Sequence, residues 1–199
     1  GVSNATPVAV VTGACGFLGP RVVDALGRVG VASVVVDKRT AAAVNAEAIL
    51  SSDHVAGLWS RDVCDPRLWS DLDDVFRGAN VVAVVHLAAE THVDRSLGLD
   101  PTTLAALPGW EAWPTVDCFA SNAVGAARAA AWAARRGVRL VHLSTDEVLG
   151  DRAIRGGFGP VEAVVGASGP VEAVNVADER ARPNPPGSPY AASKVAAEA

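Results

Sequence analysis

Pro7-Val8-Ala9-Val10-Val11-Thr12-Gly13-Ala14-Cys15-Gly16-Phe17-Leu18-Gly19 is the stretch whose reading decides the fold. Residues 7–11 form a short unbroken apolar run, the pattern of a strand buried on both faces. The run opens directly into glycines at 13, 16 and 19. That spacing permits a tight turn, close approach of a pyrophosphate to the backbone, and close packing of a following helix. The helix is announced by Val22, Val23, Leu26 and Val29 within Pro20 to Gly30, a spacing that keeps them on one helical face. Pro20 falls in the first turn, where its missing N–H costs nothing, and the uncommitted N–H groups there suit phosphate. A second apolar run, Val31 to Val36, ends at Asp37. A carboxylate about 20 positions beyond such glycines accepts hydrogen bonds from an adenosine ribose. Asp37 therefore favours NAD, because a 2′-phosphate would meet a like charge. Lys38 and Arg39 beside it keep NADP open.

Working outward, the same alternation continues. Ala41 to Leu50 reads as an Ala-rich helix, Val55 to Trp59 as a strand, and Pro66 to Phe76 as a helix with Gly78 just past its end. Val81 to Leu87 is another buried strand, running into Ala88-Ala89-Glu90-Thr91-His92-Val93-Asp94-Arg95-Ser96. The small Ala88 and Ala89 would let a cofactor lie against the backbone. Phe119 to Arg136 is a long Ala-rich helix stopped by Gly137, and Val138 to Leu143 a strand burying at least one face. Strands alternating with helices predict an α/β fold, a doubly wound, Rossmann-type parallel sheet with helices on both faces. Residues 1–199 then form one dinucleotide-binding domain with two irregular excursions. One, 97–118, holds Trp110 and Trp113 and is either a lid or a packed surface loop. The other, 150–187, repeats Gly-Pro-Val-Glu-Ala-Val at 159–164 and 169–174 and reads as a loop insert without chemistry.

Composition narrows the class. Half the residues are hydrophobic, a fifth are charged and the net charge is −5, which argues against a general nucleic-acid binder with its basic patch. Cys15, Cys64 and Cys118 are odd in number and widely spaced, unlike a disulfide framework or a metal cluster. No apolar run is long enough to span a bilayer. These features lead to an expectation of a cytoplasmic protein without metal or membrane partner.

Two motifs carry candidate chemistry. The strand at 138–143 delivers Ser144-Thr145-Asp146-Glu147 at its carboxyl end, where open α/β sheets place ligand chemistry; otherwise this is the opening of a surface loop. Near the end of the chain, Ser188 caps and Pro189 begins a helix on which Tyr190 and Lys194 stand one turn apart on one face. An ammonium close to a phenol stabilises the phenolate and makes a base. Arg61-Asp62-Val63 follows the third strand, where a polar side chain meets an adenine amino group or the backbone simply turns. His86 and His142 on apolar strands read as hydrogen-bonded core histidines rather than ligands.

Taken together, Thr12 to Gly19, Asp37-Lys38, Leu87 to Ser96, Asn122 to Gly125, Ser144 to Gly150 and Ser188 to Lys194 resemble the extended short-chain dehydrogenase/reductases. Within them, Ala-Ala-Glu-Thr-His-Val-Asp-Arg-Ser and Ser-Thr-Asp-Glu-Val are closest to the dTDP-glucose 4,6-dehydratase branch. The resemblance implies oxidation of a nucleotide-activated hexose at C4, loss of water across C5–C6, and return of hydride to C6. Tyr190 would take the 4-hydroxyl proton, Thr145 bond that hydroxyl, Glu147 take the C5 proton, Asp146 protonate the leaving hydroxyl, and Lys194 tune Tyr190. It also implies an NAD site at Gly13, Gly16, Phe17, Leu18, Gly19, Asp37, Lys38, Arg39, Thr40, Asp62, Val63, Leu87, Ala88, Ala89, Glu90, Thr91, Ser121, Tyr190 and Lys194, with Thr91 also touching the sugar. The alternatives are a related epimerase or decarboxylase, and a non-catalytic NAD-binding module. Leu149 and Cys15 depart from the family pattern. The resemblance covers essentially all of this chain but about half of the family, so the substrate domain is expected to be missing. Family pairing uses the helices of 119–136 and of Tyr190, and a homodimer is uncertain with the second cut short.

Overall fold

The structure, a computed structural model, describes residues 6–39, 43, 45–96, 118–149, 165–166, 169–170 and 188–199. The two excursions lie outside these residues, except Cys118 and a short antiparallel pair, Val165–Gly166 with Gly169–Pro170.

Five parallel strands form the sheet: β1 (Val8–Thr12), β2 (Ala32–Val36), β3 (Val55–Trp59), β4 (Val81–His86) and β5 (Arg139–His142), in the spatial order β3-β2-β1-β4-β5. This is the predicted Rossmann-type architecture. The chain winds outward from β1 in one direction through β2 and β3, then returns to the other side of β1 with β4. The crevice at that reversal lies beyond the carboxyl ends of β1 and β4, where such sheets hold ligands.

β1 is central and all five of its residues are buried. Its side chains alternate between two apolar layers, as strand geometry requires. Val8 and Val10 join Val34, Val36 and Val84 under Leu68, Trp69, Leu72, Phe76, Ala129 and Trp132. These come from α3 (Pro66–Val75), its cap Phe76 and α5 (Gly125–Arg136). Val11 points the other way with Val35 and Val85, against Val23 and Ile49, from α1 (Gly19–Arg28) and α2 (Ala46–Leu50). The short α4 spans Val93–Ser96. Tilted rings lock the first layer: Trp132 lies 5.9 Å from Trp69 and 6.2 Å from Phe76 between centroids. The alanines of α5 let it approach the sheet, and the one large ring fills the space they leave.

Helix ends follow their local signals. Asp65 accepts the Arg67 N–H at 2.9 Å to cap α3, Ser188 accepts the Ala191 N–H at 3.0 Å to cap α6 (Pro189–Glu198), and Gly137 closes α5 with φ of 66°.

Two expectations are corrected and one is refined. The helix foreseen over 41–50 begins at Ala46 among the described residues, with Asn45 in its cap position and its side chain turned elsewhere; residues 41, 42 and 44 lie outside the described set. The strand expected at 138–143 spans Arg139–His142 and turns one face to the core through Leu140, while Val141 on the other is 42% exposed, since among the described residues β5 is an edge strand paired to β4 alone. Among the described residues His142 has no hydrogen-bond partner at either ring nitrogen. Instead it stacks on His86, its register partner, at 5.4 Å. His86 does find a bond. The Thr12 hydroxyl accepts from the Ala88 N–H at 3.3 Å and, with the imidazole proton on Nε2, donates to His86 Nδ1 at 2.7 Å.

This packing has two measurable consequences. A Cβ on Gly19 would sit 1.7 Å from the Ala14 carbonyl oxygen, a backbone overlap that only a shift of α1 relieves. Gly19→Ala should cost about 3 kcal/mol and lower the thermal midpoint by roughly 5–10 °C, measured by circular dichroism. Burial, then the neighbouring His142 and Lys194, push His86 down from 6.5 to about 3. Between those values the unfolded chain binds the extra proton, so stability falls as the pH drops from about 6.5 to about 3. His86→Leu should flatten the urea midpoint against pH over that window; an unaltered slope would contradict the assignment.

Candidate functional site

A cleft of about 770 Å³ opens at the carboxyl ends of β1, β2 and β4, within the size range of small-molecule sites. Its floor is the glycine turn. Gly13, at φ of 67°, donates its N–H to Val36 O at 2.8 Å, and a Cβ there would lie 2.6 Å from the Ala88 Cα and N. The first glycine is thus demanded by both conformation and proximity. The third lets α1 meet Ala14. Among the described residues the second is crowded only through the Gly13 carbonyl, 3.1 Å from a Cβ position.

At the end of β2, the nearly buried Asp37 carboxylate accepts the Cys15 N–H at 2.9 Å on Oδ2 and the Arg39 N–H at 2.8 Å on Oδ1. Each oxygen has capacity to accept a further bond, and Asp37 lines the cleft. The Cys15 thiol is pushed up to about 11 by burial and by this carboxylate, so it stays a thiol. Lys38 reaches across the same end of the cleft to Asp62 at 3.5 Å and the Ser121 hydroxyl at 3.4 Å. Burial alone would raise the Asp62 carboxyl, but the Cys64 N–H and the Lys38 ammonium outweigh it and hold the pKa low. Val63 is held from below, its carbonyl accepting the Trp69 Nε1–H at 2.9 Å.

The opposite wall, Leu87 to His92, is fastened by Asn122. This buried amide sits in a π-helical turn, Ala120–Val124, that leads into α5. Its Oδ1 accepts the Glu90 N–H at 2.7 Å, and its Nδ2 donates to Glu90 O at 3.0 Å and to the Ser193 hydroxyl at 2.9 Å. Ser193 donates in turn to Tyr190 O at 2.6 Å. One side chain therefore couples the cleft wall to the helix of Tyr190 and Lys194.

On α6, Tyr190 and Lys194 are both buried. The Tyr190 N–H donates to the Ser96 hydroxyl at 3.1 Å, and the Lys194 ammonium to Leu143 O at 2.6 Å, at the end of β5. Burial lowers the Lys194 pKa, with Glu198 one turn on opposing that fall. The Ser144 hydroxyl donates to the Glu198 carboxylate. Just beyond Ser144, Thr145 and Glu147 are half-buried, and the 3₁₀ turn Asp146–Leu149 packs against α6.

A family model described as the NAD dependent epimerase/dehydratase family matches residues 9–199. The chain belongs to that family. NAD is its cofactor. Among curated relatives, dTDP-glucose 4,6-dehydratase of Neisseria meningitidis serogroup B is 33% identical over 197 residues, covering 95% of this chain and 46% of the relative. The Mycolicibacterium smegmatis enzyme of the same name is 32% identical over 195 residues, with the same coverage. UDP-glucose 4-epimerase of Thermus thermophilus, solved with NAD, superposes with a TM-score of 0.62 at 26% identity, covering 96% of this chain and 48% of that one. The chain spans about half the length of the curated relatives it matches.

Within this epimerase/dehydratase domain most of the sequence-derived cofactor positions line one cleft: Gly13, Gly16, Phe17, Leu18, Asp37 to Arg39, Asp62, Val63, Leu87 to Thr91 and Ser121. Gly19, Tyr190 and Lys194 do not line it, and Thr40 lies outside the described residues, as does the side chain of Asp146. Sequence reasoning did not name Cys15, Val36, Ala43, Asn45, Arg61 or His92 as cofactor positions, nor the bridging part of Asn122. Cys15, His92 and Asn122 had a signal, lying within family-like stretches, and Arg61 lay in the turn after the third strand. Among the described residues no helix is long and apolar enough to cross a membrane.

The Asn122 bridge predicts a measurable cost. Asn122→Ala strands the buried Glu90 backbone groups and should lose about 3 kcal/mol of stability, read as a lower urea midpoint. Asn122→Asp should lose at least as much, because a carboxylate oxygen would then face the Glu90 carbonyl in place of the Nδ2 donor.

Proposed function

We propose that this domain is the cofactor-binding and proton-transferring part of a nucleotide-sugar 4,6-dehydratase acting on dTDP-glucose. The observation that most supports the reading is the packing of the turn carrying Asp146 and Glu147 against the helix of Tyr190 and Lys194. The backbone that carries the acidic couple thus meets the helix that carries the phenol and the ammonium, which supports a shared site for them. The names of the curated relatives agree with it.

In this reading the glycine turn takes the diphosphate of NAD and Asp37 the adenosine ribose. Gly16 agrees with that assignment: among the described residues a Cβ there would meet only the Gly13 carbonyl oxygen, tightly at 3.1 Å, and a diphosphate against the backbone would crowd it further. Lys38, Asp62 and Ser121 close the adenine end. NAD, when bound, supplies the acceptor for the C4 hydride and its return to C6. The chain's own groups move the protons. Tyr190, as phenolate, accepts the proton of the 4-hydroxyl, with Thr145 hydrogen-bonded to that oxygen. The ketone formed at C4 acidifies C5. Glu147 takes the C5 proton while Asp146 protonates the departing C6 hydroxyl as water, a base and an acid side by side. Lys194, a compact cation held against Leu143 O, keeps positive charge near the phenolate.

A second reading, epimerisation, is favoured by the likeness to UDP-glucose 4-epimerase. Product analysis separates the two. The whole protein incubated with dTDP-glucose should yield a sugar with a C6 methyl signal by proton NMR, which epimerisation does not create. Glu147→Gln should slow formation of that methyl by about 100-fold or more while reduced-nicotinamide absorbance still rises. Unchanged turnover would reject the role of Glu147.

A further inference from the structure

We infer that Asn45 is a positioning residue for the cofactor diphosphate, acting through the Gly16–Phe17 peptide. The inference rests on the glycine turn being the diphosphate site. Asn45 stands at the cap position of α2, where an asparagine ordinarily spends its side-chain oxygen on the helix's own N–H groups. It makes no such bond. Its Nδ2 instead donates across 29 residues to the Gly16 carbonyl at 2.9 Å. A helix of five residues forgoes its cap, and the amide is used on the glycine turn.

The peptide is planar, and no cis bonds occur among the described residues. With Gly16 O held toward Asn45, the Phe17 N–H therefore points the opposite way. Phe17 and Leu18 both line the cleft, and among the described residues neither of their N–H groups donates to another group of the chain. No acidic side chain occupies the first turn of α1 that follows. Two adjacent uncommitted N–H groups at the start of a helix form an anion-binding concavity. That concavity works only if the peptide before it is not flipped. Were the Gly16–Phe17 plane to rotate, a carbonyl oxygen would face the diphosphate in place of an N–H. Glycine at 16 lowers the barrier to such a flip, so the turn needs a tether from outside itself. Asn45 is that tether, and its own side of the cleft is anchored through Ala43 N–H to Arg39 O at 2.9 Å.

The test measures binding of NAD, ADP and adenosine by calorimetry to the whole protein stripped of nucleotide, with Asn45→Ala and the isosteric Asn45→Asp, which lacks the donor. Both variants should bind NAD and ADP about ten-fold more weakly, bind adenosine within about two-fold of the unaltered protein, and keep its thermal midpoint, since the tether is solvent-exposed. Equal weakening toward adenosine would mean that Asn45 touches the nucleoside directly, and would overturn the proposal. Unchanged affinity for all three would overturn it too, as would a fall in midpoint accompanying uniform weakening. If the unaltered folded protein binds adenosine and ADP equally well, the diphosphate reading of the turn fails, and the part given to Asn45 fails with it.

Discussion

The fold is organised around the near-contact between two backbones, that of Gly13 after β1 and that of Leu87–Ala88 after β4. A Cβ at 13 would lie 2.6 Å from the Ala88 backbone, so the two central strand ends converge without a side chain between them. From that approach come the position of α1, the depth of the cleft, and the reach of the Thr12 hydroxyl to both the Ala88 N–H and His86. Once these two loops are side by side, the remaining strands have only to add outward in parallel register, each buried by a helix that returns over the sheet.

A second layer of constraint is polar and buried. Asp37 ties β2 to the glycine turn through the Cys15 N–H, and Asn122 ties the Glu90 backbone to Ser193. Buried amides and carboxylates of this kind are costly unless nearly every donor and acceptor is matched. Here the match is made across elements far apart in the chain, so the side chains specify how those elements meet. The π-helical turn at Ala120–Val124 belongs to this layer. It brings Ser121 into the cleft lining and Asn122 into the buried bridge.

The electrostatics are correspondingly uneven. Cys15 and Cys64 are held as neutral thiols, each pushed up to about 11 by burial and an adjacent carboxylate. His86 is held neutral. Lys194 is a buried cation, and the described groups that interact with it include the Leu143 carbonyl, two imidazoles disfavoured as cations and Glu198. A protonated histidine in that pair would add a second charge beside the ammonium, and burial disfavours it.

Much of this was legible from residue order. The apolar run into Gly13, Gly16 and Gly19, the acid at the end of the second run, and the alternation of strand and helix signals determine a doubly wound sheet, because those patterns express local geometry: period, cap and turn. Family-like motifs added the chemistry-bearing residues by resemblance. What only the tertiary structure decided is where side chains are spent. Asn45 looks like the interior of an Ala-rich helix and instead tethers Gly16; His142 looks like a core histidine and instead stacks on His86 at a half-buried edge; Asn122 carries no sign in its neighbours of the bond to Ser193. Each depends on a partner tens of residues away. Local periodicity cannot encode such distances, because they arise only after the strands have paired and the helices have settled on the sheet.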